Sequence, residues 1–189
     1  MSASRDTLLP IPGDEAAFVA RYGGVYESSP WVAREAWARG DLAAAPDAPV
    51  HVPVDVLAAR LAAAVEDAGR ERQLALVRAH PDLAGKASVA GTLTEESTAE
   101  QQSAGLDQCT PEEYERFQSL NEAYHRRFGF PFVMAVRGAG RRDILEAFGE
   151  RLGNDPDTEF RRALDEIHRI ARLRLDQMSG PPDERGPDE

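Results

Sequence analysis

The chain has 189 residues, 42% of them hydrophobic, which is enough for one sizeable core and predicts a single domain. Its formal charge is −11, from 33 acidic against 22 basic residues, and this argues against nucleic acid or an anionic membrane, whose recognition needs concentrated Lys and Arg. The lone cysteine, Cys109, excludes an internal disulfide and fits a reducing cytoplasm, and no apolar run approaches the ~20 residues that span a bilayer.

The N-terminus, MSASRDTLLP, lacks the basic start and apolar centre of a signal peptide. Gly13-Asp14 precedes a short predicted helix, Glu15 to Tyr22, with Phe18 and Tyr22 on one face and Gly23-Gly24 stopping it. Ser29-Pro30 reads as an N-cap followed by proline at the first helical position, opening a helix with Trp31, Val32 and Trp37 that ends at Gly40. A proline- and alanine-rich loop leads to Pro53, after which Val54, Leu57, Leu61 and Val65 recur at helical spacing as far as Asp67. Arg70 to Ala79 is the next helix, with Leu74, Leu76 and Val77 as its inward candidates, and His80-Pro81 stops it because a residue before proline avoids the α region.

Thr94 to Gly105 is helical, and Thr110-Pro111-Glu112-Glu113 is a capping box that starts a helix to Phe128, with Tyr114, Phe117, Leu120 and Tyr124 inward. Phe130 to Val136 (FPFVMAV) is the one strand-like run; lacking a partner strand, it is taken as a buried extended segment near 130–137 rather than part of a sheet. Arg142 to Leu152 and a long helix from Asp155-Pro156 to about Met178 follow, the latter with Phe160, Leu164, Ile167, Ala171 and Leu175 on one face. The tail 179–189 (SGPPDERGPDE) is acidic and predicted to be disordered. The expected fold is an all-α domain of about eight helices over residues 1–178.

The stretch HPDLAGKASVAGTLTEESTAEQQSAGL, residues 80–106, holds a His-Pro corner, a Gly-rich loop and a polar-faced helix. His80 is either a helix-terminal histidine bonded to the last carbonyls or a reactive imidazole held by stiff backbone. Asp82 could orient it or cap the next turn. Ser97, Glu100, Gln101 and Ala104 fall at i, i+3, i+4, i+7 and share one face. That face is either solvated or lines a cavity able to grip the N–H and C=O edges of a heterocycle. Arg137, emerging from the apolar run, suits a carboxylate or imide-like ligand, or else a salt bridge.

His51, His125 and His168 lack metal-ligand spacing, there is no GxxxxGK[ST] loop or GxSxG elbow, and Cys109 reads as a passive thiol. Two classes remain open from the residues: an enzyme, for instance a hydrolase with Glu100 activating water, and a non-catalytic helical interaction module.

HPDLAGK at 80–86, GTLTEES at 91–97 followed by Glu100-Gln101, Ala104-Gly105-Leu106, and LNEAYHRRFGFPFVMAVRG at 120–138 occur in the order and spacing of one family. In them the chain resembles the 2-oxo-4-hydroxy-4-carboxy-5-ureidoimidazoline (OHCU) decarboxylases of uric acid degradation. The resemblance implies an all-helical, cofactor-free, cytoplasmic enzyme, often a homodimer, that yields (S)-allantoin. It further implies that His80 is the essential histidine and Glu100 its catalytic partner. Ser97 and Gln101 would then belong to the substrate-binding helix face, with Arg137 the ligand-binding arginine. The ring of Pro81 and main-chain groups of Phe130 to Val136, Phe130, Phe132, Val133 and Ala135 foremost, would complete the pocket.

Overall fold

In a computed structural model of the protein, residues 8–40, 50–85 and 91–179 are described. The acidic tail beyond 179, the expected loop at 41–49 and the run KASVA at 86–90, between Gly85 and Gly91, lie outside them. Among the described residues eight α-helices account for most of the chain, and the only sheet has two strands. The all-α expectation is met, with that small sheet added. The chain divides into two compact units, Met1–Asp67 with Ala171–Glu189, and Ala68–Ile170.

In the first unit, β1 (Leu8–Ile11) pairs antiparallel with β2 (Val50–Pro53), placing Leu9 opposite Val52. Neither strand stands out in the sequence: each is four residues long and carries a proline, so period and propensity are both too weak to register. The alternation is nonetheless real, with Leu9 and Ile11 at 0% and 1% exposure. The Tyr22 hydroxyl donates to the Pro10 carbonyl at 2.6 Å, tying β1 to α1 (Glu15–Tyr22). Asp14 caps α1 by accepting from the Ala17 N–H at 2.8 Å. The next helix, α2 (Trp31–Ala38), starts one residue later than Ser29-Pro30 predicts, with Pro30 itself in the cap position and no side-chain cap. Together with α3 (Val54–Glu66) it buries Val32, Ala36, Leu57, Leu61 and Val65.

The second unit holds α4 (Arg70–Ala79), α5 (Glu95–Ser103), a 3₁₀ turn at Leu106–Gln108, α6 (Pro111–Phe128) and α7 (Arg141–Arg151). It also takes α8 (Pro156–Met178) as far as Ile170. Thr110 forms both bonds of the predicted capping box at the start of α6. The inward faces are turned slightly from the expected ones. Leu76 and Val77 are buried while Leu74 is only half-buried, and α6 buries Phe117, Asn121 and Tyr124 while Tyr114 and Leu120 are half-exposed.

Residues 130–136 form neither helix nor strand. An extended buried segment must still place its peptide groups, and here side chains take them. Arg151 Nη1 donates to the Val133 carbonyl at 2.7 Å, and the Ala135 N–H donates to Glu166 Oε2 at 2.9 Å. Glu159, fully buried, accepts from Arg151 Nη2 at 2.6 Å, from Asn154 at 2.7 Å and from the Tyr124 hydroxyl. Phe132 stacks on Phe148 with ring centres 3.8 Å apart, and the Arg151 guanidinium lies 4.4 Å from the Phe132 ring centre.

Candidate active site

α4 ends at Ala79 because Pro81 holds His80 in the extended region, φ −74° and ψ 136°. The imidazole is buried, and its Nδ1 lies 3.0 Å from the Leu76 carbonyl. A carbonyl only accepts, so this bond places the ring hydrogen on Nδ1 and makes Nε2 the basic nitrogen of the neutral ring. The bond to a last-turn carbonyl, which the sequence offered as the alternative to a reactive role, is therefore present and sets the tautomer.

α5 begins at Thr94, whose hydroxyl accepts from the Ser97 N–H at 3.2 Å. From it Ser97, Glu100 and Gln101 project into a small cavity that His80 and Pro81 also line. Ser97 and Gln101 are buried and Glu100 is half-buried. Side chains of Leu83, Phe132, Val133, Met134, Val136 and Ile170 make the remaining wall, which apart from backbone is apolar. A hydroxyl, a carboxylate, an amide and an imidazole thus converge on a small hollow with a largely apolar wall. This composition suits a compact polar heterocycle.

The other predicted site residues fall differently. Phe130 is buried but does not line the cavity: its ring belongs to an aromatic cluster, 6.0 Å from Tyr124 and 5.9 Å from Phe160 between centres. Ala135 is also off the lining, and its N–H is already given to Glu166. Arg137 is exposed, one residue beyond the lining residue Val136, and has no hydrogen bond or ion pair among the described residues. The salt bridge expected as the alternative for Arg137 is thus absent there. Ala104 is buried outside the lining.

Gln101 has a second task. Its Oε1 accepts from the Ala84 N–H at 3.0 Å and its Nε2 donates to the Asp82 carbonyl at 3.3 Å, leaving one amide hydrogen and one lone pair for the cavity. Asp82 pairs with His125, Nε2 to Oδ1 at 2.7 Å, instead of orienting His80.

Sequence reasoning missed Leu83 and Ile170 on the wall, and Asn121 and Gln118 on α6, which donate to the Leu83 and Ala84 carbonyls at 3.0 and 2.8 Å. One signal was available: Asn121 interrupts the apolar stripe of Phe117 and Tyr124 at helical spacing. Among the described residues no three His, Cys, Asp or Glu side chains are grouped to hold a metal ion. The Cys109 thiol is pushed up first by burial and then by Glu113, in keeping with a passive group.

A family model described as OHCU decarboxylase matches residues 13–176. The chain is 46% identical over 162 residues to the 2-oxo-4-hydroxy-4-carboxy-5-ureidoimidazoline decarboxylase of Haloferax volcanii, covering 86% of this chain and 89% of that one. It is 41% identical to the protein of the same name from Halalkalicoccus jeotgali, covering 90% and 89%. A crystal structure of an (S)-allantoin synthase superposes with a TM-score of 0.67 at 33% identity, over 87% of this chain and 50% of that one.

Proposed function

The chain belongs to the OHCU decarboxylase family, and on that premise we propose that it converts 2-oxo-4-hydroxy-4-carboxy-5-ureidoimidazoline to (S)-allantoin and CO2 in uric acid degradation, with His80 and Glu100 as its reacting groups. The observation that carries this reading is the meeting of His80, Ser97, Glu100 and Gln101 on one cavity, with the His80 ring tied through Nδ1.

The substrate needs no external electron sink. When the C4–carboxylate bond breaks, its electron pair moves into C4=C5 and the π pair of the adjoining C5=N bond moves onto nitrogen, which takes a proton. Most decarboxylases recruit a cofactor for that step; here the substrate ring supplies it. The product then forms as the 4-hydroxyl gives up its proton, C4 becomes a carbonyl and C5 receives a proton on one face. The net change is uptake of one proton and loss of CO2.

His80 Nε2, the basic nitrogen of this tautomer, takes the 4-hydroxyl proton. Glu100 and the remaining amide hydrogen and lone pair of Gln101 hold ring and ureido groups, which fixes the face of C5 that is protonated. Arg137 reaches in from the rim to a substrate oxygen and offsets developing negative charge. The apolar wall of Phe132, Val133 and Ile170 strips water from the carboxylate, and a less hydrated carboxylate loses CO2 more readily. Phe130 and Ala135 support the wall from behind.

Residues 1–178 form the catalytic part, and the enzyme acts as a homodimer in the cytoplasm, as the family resemblance implies. No helix among the described residues is long and apolar enough to cross a membrane. Light scattering checks the dimer.

The function is tested by generating substrate from urate in situ and following CO2 release together with optical activity. The expected outcome is CO2 and the optical rotation of (S)-allantoin rising together. Ring opening or ammonia without CO2 would assign a hydrolase instead. Racemic product at the spontaneous rate would leave only the interaction module.

A further inference from the structure

The turn that follows His80 is held from outside. Residues 82–85 contain no helix or strand, and Ala84 sits at φ +48°, a region that L residues adopt only under constraint. A Cβ on Gly85 would lie 2.7 Å from the Asp82 Cβ, so the chain doubles back too closely there for any side chain. Three successive carbonyls of this turn accept from carboxamides: Asp82 from Gln101, Leu83 from Asn121, and Ala84 from Gln118. His125 adds a bond to the Asp82 carboxylate.

Gln118, Asn121 and His125 stand at i, i+3 and i+7, a single face of α6. Asn121 is the central one and the most deeply buried, at 3% exposure. Its Nδ2 serves the Leu83 carbonyl, while its Oδ1 is buried with no hydrogen-bond partner. A buried amide with one end unsatisfied is unfavourable for stability alone, and an apolar residue would continue the stripe of Phe117 and Tyr124. What the amide does accomplish is to hold Leu83, a lining residue, and with it the Pro81 corner that aims His80.

We propose that Asn121, flanked by Gln118 and His125, is a positioning residue that sets the His80 imidazole against the cavity by clamping the 82–84 turn to α6. The inference rests on the catalytic role proposed for His80. It is tested in the full-length protein with Asn121→Leu, which keeps the branched outline and heavy-atom count and removes the amide, and with Gln118→Met as a second, less buried variant. His80→Gln is measured beside them.

The expected result is that both clamp variants keep the parent unfolding temperature within a few degrees and lose at least about tenfold in kcat with KM changed far less. The ring ¹⁵N and Cε1–H resonances of His80 would shift in both. Parent kcat together with unmoved His80 resonances in both variants would overturn the clamp, as would a kcat loss matched by the fraction unfolded. Failure of the underlying reading looks different: His80→Gln would retain parent kcat whatever the clamp variants do, while the resonance shifts would still report whether α6 positions the ring.

Discussion

At His80 one bond decides the chemistry available. With Nδ1 donating to the Leu76 carbonyl, Nε2 is left as the basic nitrogen, and the general-base role proposed for it would typically contribute ~10²–10⁴ in rate. His80→Asn should therefore lower kcat by about that factor with the fold intact, read from initial rates and from circular dichroism of the purified variant. Glu100→Gln preserves shape and removes the charge; the expected outcome is slower turnover and loss of enantiomeric purity, and full-rate formation of one enantiomer would reduce Glu100 to a spacer. Arg137 makes no ion pair among the described residues, so Arg137→Ala should leave stability within ~0.5 kcal/mol of the parent while raising KM. Equilibrium unfolding and steady-state kinetics on the same preparation separate the two effects. His80 could be found from sequence because Pro81 dictates its backbone. Phe130 and Ala135 could not be sorted, because in an irregular segment the partners of each group, not a period, decide which way it faces.

The extended segment 130–136 shows at the scale of elements how a run without a partner strand is held. Its carbonyl at Val133 and N–H at Ala135 are taken by Arg151 of α7 and Glu166 of α8, and Glu159, two turns earlier on α8, neutralises Arg151. Arg151 and Glu159 have side-chain exposures of 9% and 0%, so neither charge can fall back on water. Removing one member of such a pair typically costs ~3–5 kcal/mol because the other is stranded. Glu159→Gln should accordingly lower the urea midpoint sharply, whereas Arg161, paired with Asp165 on the exposed side of the same helix, should be replaceable by Ala at under ~1 kcal/mol. Sequence periodicity marked α8 correctly along its apolar face. The burial of Glu159 and Glu166 leaves no mark in the sequence, because nothing local distinguishes a buried glutamate from an exposed one.

Across the whole molecule, three tyrosines offer a collective readout. Burial pushes the phenols of Tyr22, Tyr26 and Tyr124 above their ordinary 10.0, with Glu66 adding to the effect at Tyr26 and the bond to Glu159 at Tyr124. The folded state then holds these protons more tightly than the unfolded chain. Their contribution to stability is complete below the unfolded value of about 10 and is lost as pH rises above it. Thermal unfolding followed between pH 7 and 11 should show a falling Tm beyond pH 10, and Tyr124→Phe, which cannot ionise, should flatten that fall. The net charge of −11 resides largely on the surface and bears on solubility, not on this transition.

The amino-acid sequence by itself determined the helices, the capping box at Thr110, the corner at His80-Pro81 and the shared face of Ser97, Glu100 and Gln101, because each depends on residues within one or two turns of one another. Only the tertiary structure decided that the tiny β1–β2 sheet forms, that Asp82 answers to His125, and that Asn121 and Gln118 grip the turn beneath the imidazole. Those pairings join groups 34 to 45 residues apart, and a hydrogen bond across that separation leaves no periodic trace in the chain.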